Sequence, residues 1–264
     1  MKRYSFYFVL FFVCILPSCG PGIRKVDVIS ISDPSFEKGQ NEYLKERYRN
    51  AERLFREYLI KTDDPLKMAS AEYWLGMTVM RQGEYPQALE IFSRINKRHT
   101  SSRLWNLIQK AAADTCFFMK DYSAAAARFE KIEQRTSDGL NRAEILFKKG
   151  ICRVRTSDFY MGKRTLSRVV SEYPNTFYAE RAAETLQECD GYFFVQIGAF
   201  TQRDSAETVM RKAADKGFTA YIRVMSVGNR RMYSVRVGRL NDYGAAESFA
   251  EMLRKNGFMT VVKP

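Results

Sequence analysis

The chain of 264 residues holds one histidine, two tryptophans, seven prolines and five cysteines. A single imidazole, His99, leaves no histidine set for a metal and obliges any Ser/His/Asp triad to use that one ring. The cysteines have no metal-ligand spacing. No long apolar run follows the N-terminus, and 28% of the residues are charged, which together exclude a protein with several membrane spans. What is there is 45% hydrophobic and 14% aromatic residues, enough to build cores for two folded units. The 43 Lys+Arg against 30 Asp+Glu leave a formal charge of +13. No metal, no cofactor and no catalytic constellation is expected, and the composition leans against an enzyme.

Lys2 and Arg3 precede thirteen mostly apolar residues, Tyr4 to Leu16, and the run stops at Pro17-Ser18-Cys19-Gly20. A spanning helix needs about 20 apolar residues and a signal-peptide core about 7 to 15, so residues 1–18 read as a cleaved signal peptide. Leu16-Pro17-Ser18-Cys19 resembles a bacterial lipobox, with a branched residue at −3, a small one at −1 and an unusual Pro at −2. The resemblance implies that Cys19 carries the lipid, with palmitate-type acyl chains anchoring the protein in the membrane. Gly20 rather than Asp after the cysteine favours the periplasmic side of the outer membrane. Plain secretion, with Cys19 incidental, is the alternative. Residues 19–34, with scattered Gly, Pro and Ser, read as a tether.

The middle of the chain repeats. Tyr48-x-x-Ala51-x-x-x-Phe55 returns as Tyr85/Ala88/Phe92, Tyr122/Ala125/Phe129 and Phe159/Gly162/Leu166, always 37 residues on. Twelve residues before each small residue lies another, at Gly39, Gly76, Ala113 and Gly150. In a helix hairpin, facing small residues let two backbones approach and the large residue one turn on fills the space beside them. The pattern resembles the tetratricopeptide repeat, whose period is nearer 34. Pro174 sits where that family's closing Pro belongs. Stacked hairpins over residues 35–190 are expected, with a terminal helix from about Phe177 to Cys189 whose Glu180, Arg181, Glu184 and Glu188 point outward. Such arrays bind a protein partner along their first helices. The recurring aromatics, Trp74 and Trp105 read as packing. Cys116, Cys152 and Cys189 are odd in number for an oxidising compartment, so one pair could bridge; buried free thiols are the preferred reading.

After Cys189-Asp190-Gly191 the periodicity changes to strand, helix, two strands about a Gly228-Asn229 turn, helix and a last strand from Phe258 to Lys263. The helices close at Gly217 and Gly257. This βαββαβ order predicts a four-stranded antiparallel sheet with both helices on one face and the other face bare, so that the whole chain is α+β. Strand alternation puts Val195, Ile197, Ala220, Ile222, Val224, Tyr233, Val235 and Val237 toward the helices. It leaves Phe194, Gln196, Tyr221, Arg223, Met225, Met232, Ser234, Arg236 and Val262 on the bare face, and a slip of one residue would invert any strand's set.

Residues 191–264 resemble the SPOR domain, through Phe194-Val195-Gln196-Ile197-Gly198-Ala199-Phe200, Gly217-Phe218, Tyr233-Ser234-Val235-Arg236-Val237-Gly238 and Gly257-Phe258. The resemblance implies binding of peptidoglycan glycan strands stripped of their stem peptides, on the sheet face away from the helices, with Gln196 at the family's glycan-contacting position. Ala199, Met232 and Ser234 depart from the residues the family often carries there. The chemistry suits amino sugars: an amide, two guanidinium forks and the flat surfaces of Phe194 and Tyr221. From Tyr192 onward 12 Lys+Arg face 6 Asp+Glu, which alone would fit RNA on an open sheet; the export signal argues against nucleic acid. Three functions follow. One is a non-enzymatic envelope lipoprotein that binds glycan strands and recruits a protein partner at division or remodelling sites. Another is an outer-membrane assembly factor whose repeats bind membrane-protein clients, with the SPOR segment as an address. The last, a peptidoglycan hydrolase, has no room for a catalytic domain.

Overall fold

The computed structural model describes residues 33–98, 103–134, 139–227 and 230–264. The signal peptide, Cys19, His99 and the Gly228-Asn229 turn lie outside the described residues. The described residues form an α+β chain of two compact units. One comprises residues 33–153 and Arg164–Ala182; the other comprises Val154–Lys163 and Ala183–Pro264.

Nine helices run in sequence through the described part of the first 190 residues: α1 (Pro34–Leu44), α2 (Tyr48–Lys61), α3 (Pro65–Arg81), α4 (Tyr85–Arg98), α5 (Arg103–Phe118), α6 (Tyr122–Glu133), α7 (Gly139–Arg155), α8 (Phe159–Glu172) and α9 (Phe177–Glu188). The second helix of every hairpin starts on the recurring aromatic, at Tyr48, Tyr85, Tyr122 and Phe159. Aspartates stop the chain fraying at several starts: Asp33, Asp64, Asp121 and Asp158 accept from backbone N–H groups two or three residues on, at 2.8–3.2 Å.

The small-residue positions carry the hairpin packing. A Cβ placed on Gly39 would lie 2.8 Å from the Phe55 ring, one on Gly76 would lie 2.6 Å from Phe92, and one on Gly150 would lie 2.8 Å from Leu166. Ala51, Phe55, Ala88, Phe92, Ala125 and Phe129 are wholly buried. Trp74 packs between Tyr43 and Phe55, at ring distances of 5.2 and 6.2 Å, which makes it a core residue. A further periodic feature is conformational. Glu46, Gly83, Lys120 and Ser157, again 37 apart, all adopt positive φ, between 59° and 87°, in the turn before the second helix. Only one of the four is glycine, so no residue type announced it. Cys116, Cys152 and Cys189 are buried free thiols.

The second unit contains β1 (Phe193–Phe200), α10 (Arg203–Asp215), β2 (Ala220–Val227), β3 (Arg230–Leu240), α11 (Tyr243–Lys255) and β4 (Val261–Lys263). The strands form one antiparallel sheet in the order β2-β3-β1-β4. Helix α10 packs on β1, β2 and β3, and α11 on β1, β3 and β4. Gly217 and Gly257 take φ of 82° and 81°, and the next residue's N–H returns to the helix, from Phe218 to the Ala213 carbonyl and from Phe258 to that of Leu253. Strand β4 is shorter than expected: Phe258 lies outside it, buried with its ring 6.1 Å from Phe218. The segment Val154–Lys163, from the end of α7 through the start of α8, belongs to this unit: Ser157 Oγ donates to the Asn241 carbonyl at 2.8 Å, and the Phe159 ring lies 5.1 Å from that of Phe193.

Candidate functional site

The three long strands assemble the expected face. Gln196 lies opposite Arg236, Tyr221 also opposite Arg236, Arg223 opposite Ser234 and Met225 opposite Met232. Directly opposed residues of an antiparallel pair share a face. The side chains are joined in a row: Arg236 Nε donates to Ser234 Oγ at 3.1 Å, and Ser234 Oγ donates to Gln196 Oε1 at 2.9 Å. The Arg236 guanidinium lies over the Phe194 ring, 3.8 Å from its centre. This arrangement leaves the two N–H donors of the Gln196 amide for a ligand, and the residue is half-buried.

Two expectations need correction. Val262 does not belong to this face. It is paired with Val195, on the helix side, while Phe194 is opposite Lys263 and Gln196 opposite Val261. Two adjacent valines give the alternation no handle, and the pairing register alone decides which of them faces the helices. Nor is the face bare. Phe194, Ser234, Arg236 and Met232 are buried, with Arg236 only 1% exposed; Tyr221, Arg223 and Met225 are half-buried.

What lies against the face is the segment Glu188–Tyr192. Glu188, expected to point outward, is buried: its carboxylate accepts from Lys263 Nζ at 2.8 Å and lies 3.9 Å from Arg236 Nη2. Asp190 accepts from the Arg223 guanidinium. Tyr192 stacks under the Arg239 guanidinium at 4.2 Å. Lys163 Nζ donates to the Cys189 carbonyl at 3.1 Å. Burial depresses the Arg236 pKa, with Glu188 pulling the other way. Sequence reading missed Glu188, Asp190 and Lys263. Their signal was charge alternation across the junction, acids at 188 and 190 facing bases at 223, 236 and 263, which is legible only once the register is known.

On the first helices of the array, α5 and α7 bring together a charge-balanced cluster. Lys110 Nζ donates to Asp114 at 3.1 Å and to Glu144 at 2.9 Å, and Lys148 Nζ donates to Asp114 and Glu144 at 2.6 Å each. Burial would raise the Glu144 pKa, but Lys148 and Lys110 override it and hold it down to about 2. Burial and the neighbouring carboxylates raise the pKa of Tyr178, from α9.

Residues 190–264 match the family model for the SPOR domain, and the C-terminal segment is accordingly a SPOR domain. SPOR domains bind peptidoglycan and are associated with the cell envelope. No curated protein matches the chain. Among solved structures the helical part is similar to a tetratricopeptide repeat protein from Parabacteroides merdae, at 16% identity and TM-score 0.51, over 60% of this chain and 59% of that one. The chain is also similar to the apo form of RapI, at 12% identity and TM-score 0.52, over 71% of this chain and 72% of that one. A third likeness is to kinesin light chain repeats from Podospora anserina, at 13% and 0.50, over 69% and 95%. The chain thus spans less than two thirds of the length of the Parabacteroides protein. These likenesses define the fold, a tetratricopeptide-like array, and arrays of this kind bind protein partners in general. Both folds are typically non-catalytic binding modules. No described helix is long and apolar enough to cross a membrane.

Proposed function

We propose that this chain is a non-enzymatic protein of the bacterial envelope. It grips peptidoglycan glycan strands, chiefly those stripped of stem peptides, through Phe194, Gln196, Tyr221, Arg223, Met232, Ser234 and Arg236, joined by Lys263. Its repeats, residues 35–190, recruit a protein partner at sites of division or wall remodelling. A lipid on Cys19, following an 18-residue signal peptide, tethers it through residues 19–34 to the periplasmic side of the outer membrane. The observation that carries the reading is the hydrogen-bonded row Gln196–Ser234–Arg236, flanked by Phe194 and Tyr221, on a single face within the SPOR segment. An amide with two donors to give, a guanidinium backed by the Phe194 ring and the flat surface of Tyr221 in register are what an acetamido sugar with polar edges and an apolar ring face requires. The test is co-sedimentation with purified glycan strands that carry or lack stem peptides. Gln196→Ala should lose at least tenfold in affinity for stripped strands, and its helical content by circular dichroism should match the parent.

A further inference from the structure

The sheet face gathers three cations, Arg223, Arg236 and Lys263, and each lies against a carboxylate supplied by the segment just before the sheet. The match is uneven. Lys263 and Arg223 are hydrogen-bonded to their partners, while Arg236, almost wholly buried, has its nearest carboxylate at 3.9 Å. Its Nη1 has no hydrogen-bond partner among the described residues, and its Nη2 makes only a long contact to Met225 Sδ, at 3.9 Å, besides the equally distant Glu188 carboxylate. A buried guanidinium left short of acceptors costs free energy that a well-placed carboxylate would recover. Glu188 is also the last residue of α9, where a negative charge opposes the helix dipole. Its buried position therefore depends on the cations across from it.

Removing a stem peptide from a glycan strand breaks the amide to the lactyl group and leaves a free carboxylate on every second sugar. Such a strand carries the chemistry that Glu188 and Asp190 now supply. We propose that the segment Glu188–Tyr192 is an internal occupant of the glycan face, whose two carboxylates hold Arg236, Lys263 and Arg223 until the carboxylates of a stripped strand displace them. The inference rests on the glycan reading above and adds the group that is read and the element that must leave. Apparent affinity falls by the fraction of molecules whose face is uncovered. The three pairs, two of them hydrogen-bonded and one part-exposed, hold that fraction at roughly one in ten or below, so neutralising both carboxylates should raise affinity by about tenfold or more.

The experiment uses the full chain and three probes: stripped strands, stripped strands whose carboxylates have been converted to methylamides, and strands with intact stem peptides. Glu188→Gln/Asp190→Asn should bind stripped strands about tenfold more tightly than the parent. The charge-matched Asp215→Asn/Glu251→Gln, on the exposed sides of α10 and α11, should bind as the parent does. Methylamide strands should bind both proteins weakly. Hydrogen exchange on the unmutated chain gives a second readout that needs no variant: backbone amides of residues 189–192 should lose protection when stripped strands are added. Equal affinity of parent and Glu188→Gln/Asp190→Asn for strands that both bind, or unchanged exchange at 189–192, overturns the occupant and leaves glycan binding standing. Equal binding of methylamide and unmodified strands overturns the carboxylate as the group read. If neither protein binds any strand, the glycan reading falls, and the occupant with it.

Discussion

Gly76→Ala tests the packing rule that organises the repeats. The added Cβ would lie 2.6 Å from Phe92 Cε1, 2.9 Å from Cζ and 3.0 Å from Cδ1, whereas ordinary contact begins at 3.4 Å. The ring cannot swing away, because Phe92 is wholly buried and the Tyr73 ring lies 6.3 Å from it. Relief requires a shift approaching an ångström in a close-packed interior, at the upper end of the 1–3 kcal/mol typical of overpacking, about 3 kcal/mol. Alanine's better helix propensity returns about 1 kcal/mol, so the net loss should be about 2 kcal/mol. For an array of this size that lowers Tm by roughly 4–8 °C, read from the helical circular dichroism signal. A double-mutant cycle isolates the cause. In a Phe92→Ala background the ring is gone, and Gly76→Ala should become neutral or stabilising by up to about 1 kcal/mol. An unchanged or higher Tm for Gly76→Ala alone would refute the close-approach argument.

Other substitutions probe the remaining levels. Lys120→Gly, at φ 62°, should stabilise the array by about 1 kcal/mol by relieving a left-handed conformation, measured as a rise in urea midpoint. Glu144, with its pKa held to about 2 against an ordinary 4.5, contributes stability that is fully present above pH 4.5 and lost as pH falls toward 2, on the order of 3 kcal/mol. Glu144→Gln should therefore flatten the acid limb of the stability curve across that window, as followed by denaturant midpoints at each pH. Ser234→Ala removes the acceptor of the buried Arg236 Nε and should cost about 1–3 kcal/mol in the C-terminal unit, seen as faster hydrogen exchange in β1 and β3.

The repeat was legible because packing demands recur at fixed spacing: Gly39, Gly76 and Gly150 had to be small for the rings or Leu166 that face them. The left-handed turn at Glu46, Gly83, Lys120 and Ser157 was not legible, since the four residues share no type that marks a positive φ. In the sheet, alternation sufficed wherever polar and apolar residues took turns, and it placed Gln196, Ser234 and Arg236 together. It failed at Val261-Val262, where both neighbours are apolar and the register alone decides. The covering of the face was hidden for a different reason. Glu188 closes a helix whose other acidic residues, Glu180 and Glu184, do face solvent, and nothing in helical spacing says that its carboxylate meets Lys263, 75 residues on.

The most direct test of the account is co-sedimentation of the unmutated full chain and of Gln196→Ala with two strand preparations, one enzymatically freed of its peptides and one left intact. The account predicts that the parent pellets with the freed strands, weakly with the intact ones, and that Gln196→Ala pellets with neither. Equal pelleting of parent and Gln196→Ala with the freed strands would contradict it.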